Sequence, residues 1–267
     1  MTTPSTMSLT TSRGVEFTVH SRGSGEPVLW LHGATGIRDD EPMLDAIAAA
    51  GYRVLAPEWP GFGDHQTEGI VEDMLDFALH GWDVVEALGV GDTRPHLVGH
   101  SMGGMIAAEM AVLNPRALSS LTLVDSLGLW LQEHPIPDVF AMLPLDLAET
   151  LFADATAGVS FLAGGMDFGD DVALQDFLVS NARRMGTAGK IMFPIPNRRL
   201  SKRLYRLTTR TLVLWGASDH LVPPVYGETL ASLIGASRLE IIDDAGHMLP
   251  YEQPAAAAAA VVAHLRA

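Results

Sequence analysis

The chain of 267 residues predicts an α/β fold: a mostly parallel central sheet with helices on both faces, interrupted once by a helical insertion. Three observations carry this expectation. Short apolar runs alternate with longer amphipathic stretches. The runs end in turns rich in Gly or Pro. The alternation stops between about Trp130 and Leu204 and then resumes. Strands that alternate with helices build a parallel sheet buried on both faces. Ligands on such sheets bind beyond the carboxyl ends of the strands.

Taken in order, Val15 to His20 alternates and reads as a half-exposed strand. Pro27 to Leu31 and Tyr52 to Ala56 are apolar strands, with helical spacing between them from Glu41 to Ala50. Ile70 to Leu88 predicts a longer amphipathic helix. His96 to Gly99 is a strand that runs directly into a small-residue helix from Met102 to Leu113. Leu121 to Val124, Thr211 to Trp215 and Leu239 to Ile242 read as strands. A helix starts after Val222-Pro223-Pro224, and the alanine-rich stretch Ala255 to Arg266 forms the last one. The interrupted stretch has no clear strand; Pro135, Pro137, Pro144, Gly164, Gly165 and Pro194 divide it into short helices. It is too long for a structureless loop in a compact domain. The expected organisation is a core over 1–129 and 205–267, with a helical cap over 130–204 lying across the carboxyl ends of the strands.

Composition narrows the function. Hydrophobic residues make up 48% and charged residues 18%, enough for a large core. The net charge of −15 would be repelled by a nucleic acid duplex or an anionic membrane. The chain has no cysteine, which removes disulfides, thiolate nucleophiles and cysteine-ligated metals. Met1 to Ser12 is polar and lacks the pattern of a signal peptide. No apolar run approaches the roughly 20 residues that span a bilayer. These features predict a cytoplasmic protein. No His or carboxylate cluster has metal-ligand spacing, and no dinucleotide motif is present, so neither metal nor cofactor is expected.

The strongest chemical signal is Gly99-His100-Ser101-Met102-Gly103, followed by Gly104. It matches Gly-x-Ser-x-Gly between a strand and a helix, the context that gives this pattern meaning. A serine on so sharp a turn needs small neighbours, and the turn lifts its hydroxyl out of the sheet. The same turn puts the Met102 N–H at a helix N-terminus, where it can stabilise an oxyanion. A second oxyanion donor is expected after an earlier strand, and Leu31-His32-Gly33-Ala34 offers the Ala34 N–H. His32 is read as a brace for that loop. Serine needs a base oriented by a carboxylate. Among ten histidines, His247 follows the last strand within Asp243-Asp244-Ala245-Gly246-His247-Met248. His100 should point to the opposite side of the turn, and His20, His80, His134 and His264 have no partner motif. Asp219 follows the strand ending at Trp215 and is the favoured acid. Asp125, after Val124, is its rival.

The chain resembles the α/β-hydrolase superfamily from about Val15 to Arg266. The blocks that carry the resemblance are His32-Gly33-Ala34, Pro60-Gly61-Phe62-Gly63, Gly99 to Gly104, Trp215-Gly216-Ala217-Ser218-Asp219 and Ala245-Gly246-His247. The resemblance implies an α/β-hydrolase fold with a helical cap. It also implies Ser101 as nucleophile, His247 as base, Asp219 as acid and the Ala34 and Met102 amides as oxyanion hole. Glu58 replaces the Asp that many relatives carry before the Pro-Gly-x-Gly turn. Haloalkane dehalogenases and epoxide hydrolases use Asp where this chain has Ser101. Hydrolases of carbon–carbon bonds in ring-fission products usually carry Asn before the serine and Trp after the histidine; here those positions hold His100 and Met248. The expected activity is cofactor-free hydrolysis of a small carboxylic ester with an apolar portion. The alternatives are carbon–carbon or lactone hydrolysis, a triad-retaining ligand receptor, and non-hydrolytic catalysis on the same fold.

The cap adds two features. Nine of the seventeen basic residues lie between Arg183 and Arg210, without an acidic residue among them. They either face solvent and the acidic core, or one of them, Arg183 or Arg184, meets an anionic group on the substrate. Trp130, Phe140, Met142, Leu143, Phe152, Phe161, Met166, Phe168 and Phe177 supply apolar side chains, some of which should line the pocket.

Overall fold

A computed structural model of the protein describes residues 4–38, 40–163, 170–192 and 199–267. Gly164, Gly165, Met166, Phe168 and Pro194 of the expected cap lie outside the described residues. Eight strands form one sheet: β1 (Ser5–Thr10), β2 (Glu16–Gly23), β3 (Glu26–Leu31), β4 (Tyr52–Pro57), β5 (His96–His100), β6 (Ser120–Val124), β7 (Thr211–Gly216) and β8 (Ser237–Ile242). Their order is β1-β2-β4-β3-β5-β6-β7-β8. β2 pairs antiparallel with both β1 and β4, and the remaining pairs are parallel. The chain passes from β3 outward to β4, then returns across β3 to β5. The loops leaving β3 and β5 therefore diverge and open a crevice at their carboxyl ends.

The central strands are apolar on both sides because both sides are covered. In β7, Val213 and Trp215 join one core cluster, while Leu212 and Leu214 join the other. This is the two-residue period of a pleated strand. The first face holds α2 (Met74–Ala87), α3 (Met102–Leu113) and α7 (Val225–Leu233); the second holds α1 (Pro42–Ala49), α8 (Leu249–Glu252) and α9 (Pro254–Arg266). α3 is buried from Met102 through Val112, and its glycines and alanines let it lie close against the sheet.

Three details differ from the sequence expectation. The N-terminal stretch forms β1, an edge strand that packs only Met7 and Leu9 inward. Apolar periodicity starts at Ile70, but α2 starts at Met74. Asp73 caps it by accepting from the Leu75 and Asp76 N–H groups at 2.8 and 3.1 Å. α8 is a single short turn, too brief to leave a periodic signal.

Between β6 and β7 the chain forms α4 (Pro144–Leu151), α5 (Ala155–Ala163) and α6 (Asp171–Met192). These helices are tied to loops beyond the sheet. Lys190 Nζ donates to the Glu68 and Val71 carbonyls at 2.7 and 2.8 Å, and the Met248 N–H donates to the Leu151 carbonyl at 3.1 Å. Among the described residues, no helix is long and apolar enough to cross a membrane.

His80 lies inside the first core, against Phe17 and Trp59. Its ring nitrogens have no hydrogen-bond partner among the described residues. Burial pushes its pKa down to about 4. The unfolded chain binds this proton near pH 6.5 and the folded chain does not, so stability is lost as pH falls below 6.5. In denaturant titrations at pH 7 and pH 5, His80→Phe should lose about 2 kcal/mol less between the two values than the unaltered protein. An equal loss would mean that His80 is not held neutral.

Candidate active site

The site grows from the β5–α3 turn. Ser101 has φ 54° and ψ −118°, a region that side-chain-bearing residues seldom occupy. Its N–H donates to the Val124 carbonyl at 2.9 Å, and its carbonyl accepts from the Met105 and Leu127 N–H groups, both at 3.2 Å. Glycine is needed on either side. A Cβ on Gly99 would strike the Gly103 carbonyl, and one on Gly103 would strike the Leu31 carbonyl.

His247 and Asp219 complete a hydrogen-bonded chain. Ser101 Oγ lies 2.8 Å from His247 Nε2, and His247 Nδ1 lies 2.8 Å from Asp219 Oδ2. The carboxylate fixes the Nδ1–H tautomer, which leaves Nε2 to accept the serine proton. Asp219 Oδ1 accepts from the Leu221 and Val222 N–H groups at 2.9 and 2.8 Å, so its second oxygen is aimed at the imidazole. All three residues are buried. Asp125, the rival acid, makes no hydrogen bond to His247 among the described residues.

The loop after β3 stands beside the turn, with Gly33 close enough that a Cβ there would lie 3.1 Å from the Ser101 Cβ. His32 braces this loop: Nδ1–H donates to the Gly33 carbonyl at 2.7 Å and Nε2 accepts the Trp59 N–H at 3.2 Å. Burial lowers its pKa to about 4, which preserves the Nε2 acceptor at neutral pH. Met102 is the first residue of α3, where helix geometry supplies no acceptor for its N–H. Among the described residues, neither the Ala34 nor the Met102 N–H has an internal acceptor. Of the other histidines, His20 pairs with Glu58 at 3.0 Å, and His264 meets the Leu121 carbonyl at 3.1 Å. Asp243 and Asp244 are exposed on their loop.

Two residues outside the sequence expectation hold His247 in place. His100 stacks on Trp30 and donates from Nε2–H to the His247 carbonyl at 2.7 Å. Burial, with His247 beside it, lowers its pKa to about 3, so it stays neutral. Strand alternation correctly turns His100 away from Ser101, but it cannot show that His247 lies on that side. Glu252 Oε2 accepts from the Gly246 N–H at 2.8 Å, and Oε1 accepts from the Ala153 N–H at 2.7 Å. It thus joins the α4–α5 junction to the histidine loop.

The basic run separates in the structure. Arg183 is committed to Glu68, 3.1 Å away, and to the Gly63 and His65 carbonyls. Arg184 lies against the loop that carries Ala34, donating to the Thr35 carbonyl at 3.2 Å. Its Nε is buried without an acceptor, and it has no carboxylate partner among the described residues. Burial and the neighbouring Arg38 lower its pKa. An apolar cavity between α6 and the core is lined by Met105, Leu127, Leu129, Phe140, Ile191 and Leu221. Leu127 and Leu221 connect it to the turns bearing Ser101 and Asp219. Phe152 and Phe161 pack instead on one another, and Phe161 packs on Tyr251.

Known proteins resemble this chain along most of its length. A family model described as alpha/beta hydrolase fold matches residues 26–254. The chain is 28% identical over 269 residues to a 2-hydroxy-6-oxo-6-phenylhexa-2,4-dienoate hydrolase of Comamonas testosteroni, covering 89% of this chain and 87% of the relative. It is 25% identical to Lipase 3 of a Moraxella species, covering 84% of this chain and 72% of the relative. A variant of the meta-cleavage product hydrolase from Pseudomonas fluorescens IP01 superposes with a TM-score of 0.78 at 22% identity, covering 97% of both chains, a likeness of fold.

The His100 bond is testable. His100→Phe keeps a ring against Trp30 but removes the donor to the His247 carbonyl. A misplaced histidine should lower kcat about tenfold with a smaller change in KM. An unaltered kcat would show that the His247 backbone is held without this bond.

Proposed function

The chain belongs to the alpha/beta hydrolase family and is a hydrolase, and we propose that it cleaves small carboxylic esters through an acyl-enzyme on Ser101. The observation that carries this reading is the continuous chain from Ser101 Oγ through His247 to Asp219, with both links at 2.8 Å. Ser101 attacks the ester carbonyl while His247 Nε2 takes its proton. Asp219 stabilises the imidazolium that results. The tetrahedral oxyanion is received by the Ala34 and Met102 N–H groups, where removing one donor typically costs about 3–4 kcal/mol of barrier. His247 returns its proton to the departing alcohol. It then deprotonates a water that attacks the acyl-enzyme, releasing the acid and regenerating Ser101. Each step balances with the chain's own groups and water, so the reading calls for no cofactor and no metal. Residues 130–204 act as the cap across the carboxyl ends of the strands.

Carbon–carbon hydrolysis is the second reading, and Arg184 favours it. A guanidinium with a buried, unpartnered Nε beside the Ala34 loop suits a carboxylate on the substrate. The Comamonas relative is named for a dienoate, which is a carboxylate. Against it, His100 is engaged by the His247 carbonyl and Met248 is a buried thioether, so neither position offers the substrate a polar group.

Turnover of a p-nitrophenyl ester series of increasing acyl length tests the first reading. Ser101→Ala should reduce kcat by at least about a thousandfold. An intact protein that leaves every ester untouched but cleaves a ring-fission dienoate would replace it with the second. Arg184→Ala should raise KM about tenfold more for esters bearing a free carboxylate than for neutral ones. An equal effect on both classes would remove the anion subsite.

A further inference from the structure

The outer side of α3 is met by two segments of opposite charge. Over residues 72–86, α2 and its cap hold Glu72, Asp73, Asp76, Asp83 and Glu86 without a lysine or arginine. Over residues 199–210, the single turns Leu200–Lys202 and Leu204–Arg206 and their flanks hold Arg199, Lys202, Arg203, Arg206 and Arg210 without an acidic residue. Both segments reach the same turn of α3. Trp82 Nε1–H donates to the Met110 carbonyl at 3.2 Å, Arg206 Nε–H donates to the Val112 carbonyl at 3.2 Å, and Arg203 pairs with Glu109. Glu72, Glu86, Lys202 and Arg206 make no ion pair among the described residues. Exposed apolar side chains accompany these charges. Leu75 and Leu79 share the side of α2 that bears Trp82, at helical spacing, and are 53% and 44% exposed. Tyr205 is 78% exposed. Tyrosine, tryptophan and arginine are the residues that most often anchor protein interfaces.

We propose that this face is an interface between two copies of the chain, paired about a two-fold axis near the Glu109–Val112 turn of α3. Such an axis exchanges the two sides of the turn, so it lays the acidic α2 of each copy on the basic turns of the other. It also brings Leu75 and Leu79 of one copy toward Tyr205 of the other, out of water. A face that carries both signs in this arrangement complements itself, whereas a surface for an unrelated acidic or basic partner needs only one sign. The net charge of −15 opposes unspecific self-association. A specific pairing must therefore present positive charge locally, and five of the seventeen basic residues stand on this face. The proposal is independent of the reaction at Ser101.

Sedimentation velocity on the full chain reads its mass in solution. The unaltered protein should run at twice the chain mass, with a dissociation constant that rises as sodium chloride is raised from about 50 mM to about 500 mM. Two charge-reversed variants, Lys202→Glu with Arg206→Glu and Glu72→Lys with Glu86→Lys, should each weaken the dimer at least about a hundredfold. Mixed in equal amounts, the two variants should dimerise again, because across a two-fold axis every reversed charge then meets its opposite. Should a reversed variant fail to fold, Tyr205→Ser at its exposed position makes the test and should weaken the dimer at least about tenfold. An unaltered protein that stays monomeric at about 100 µM in low salt would overturn the proposal and leave the face to a different protein. A dimer that both reversals leave intact would overturn it as well, as would reversed variants that remain monomeric when mixed.

Discussion

Ser101 occupies a backbone conformation that costs about 1–3 kcal/mol for a residue with a side chain, and the surrounding structure is arranged to hold it there. Strand β6 receives its N–H through the Val124 carbonyl. The amides of Met105 and Leu127 converge on its carbonyl. Gly99 and Gly103 allow strand, helix and the β3 backbone to approach more closely than any side chain permits. The near-complete burial of α3 supplies the offsetting free energy, at about 25 cal/mol per Å² of apolar surface. In return the hydroxyl stands clear of the sheet, at the crevice where the β3 and β5 loops part.

His247 is held with comparable redundancy. Its ring is fixed by Asp219, its carbonyl by His100, the preceding amide by Glu252 and the following amide by the Leu151 carbonyl. Two of those four restraints reach α4 and its junction with α5. The position of His247 is thereby coupled to the helices between β6 and β7 as well as to the sheet. Burial keeps His32 and His100 neutral, so the two imidazoles flanking the site act as hydrogen-bonding struts.

Much of this arrangement is legible in the sequence, for physical reasons. Central strands such as Leu212-Val213-Leu214-Trp215 are apolar on both faces because both are buried, and that leaves an unmistakable run. The Gly-x-Ser-x-Gly turn is legible because its glycines answer a steric demand and not a preference. Asp219 and His247 could be placed by the rule that sites lie beyond strand ends, and the structure brings their side chains to 2.8 Å. Strand β1 escaped because an edge strand buries only Met7 and Leu9 among hydroxyl residues. The partners of His100 and Glu252 escaped because they lie 147 and 99 residues away in the chain, and no local pattern encodes so distant a contact. The basic run shows the limit of counting charges: Arg183 and Arg184 are adjacent, yet one is neutralised by Glu68 and the other faces the Ala34 loop.

The proposed chemistry turns on a covalent bond forming at Ser101. Acid-quenching the protein during turnover of a slow p-nitrophenyl ester, then mapping peptides by mass spectrometry, reads that bond directly. An acyl group on the peptide containing Ser101, absent from Ser101→Ala, is the predicted result. Turnover that leaves no adduct and survives the substitution, or an adduct on another side chain, would contradict it.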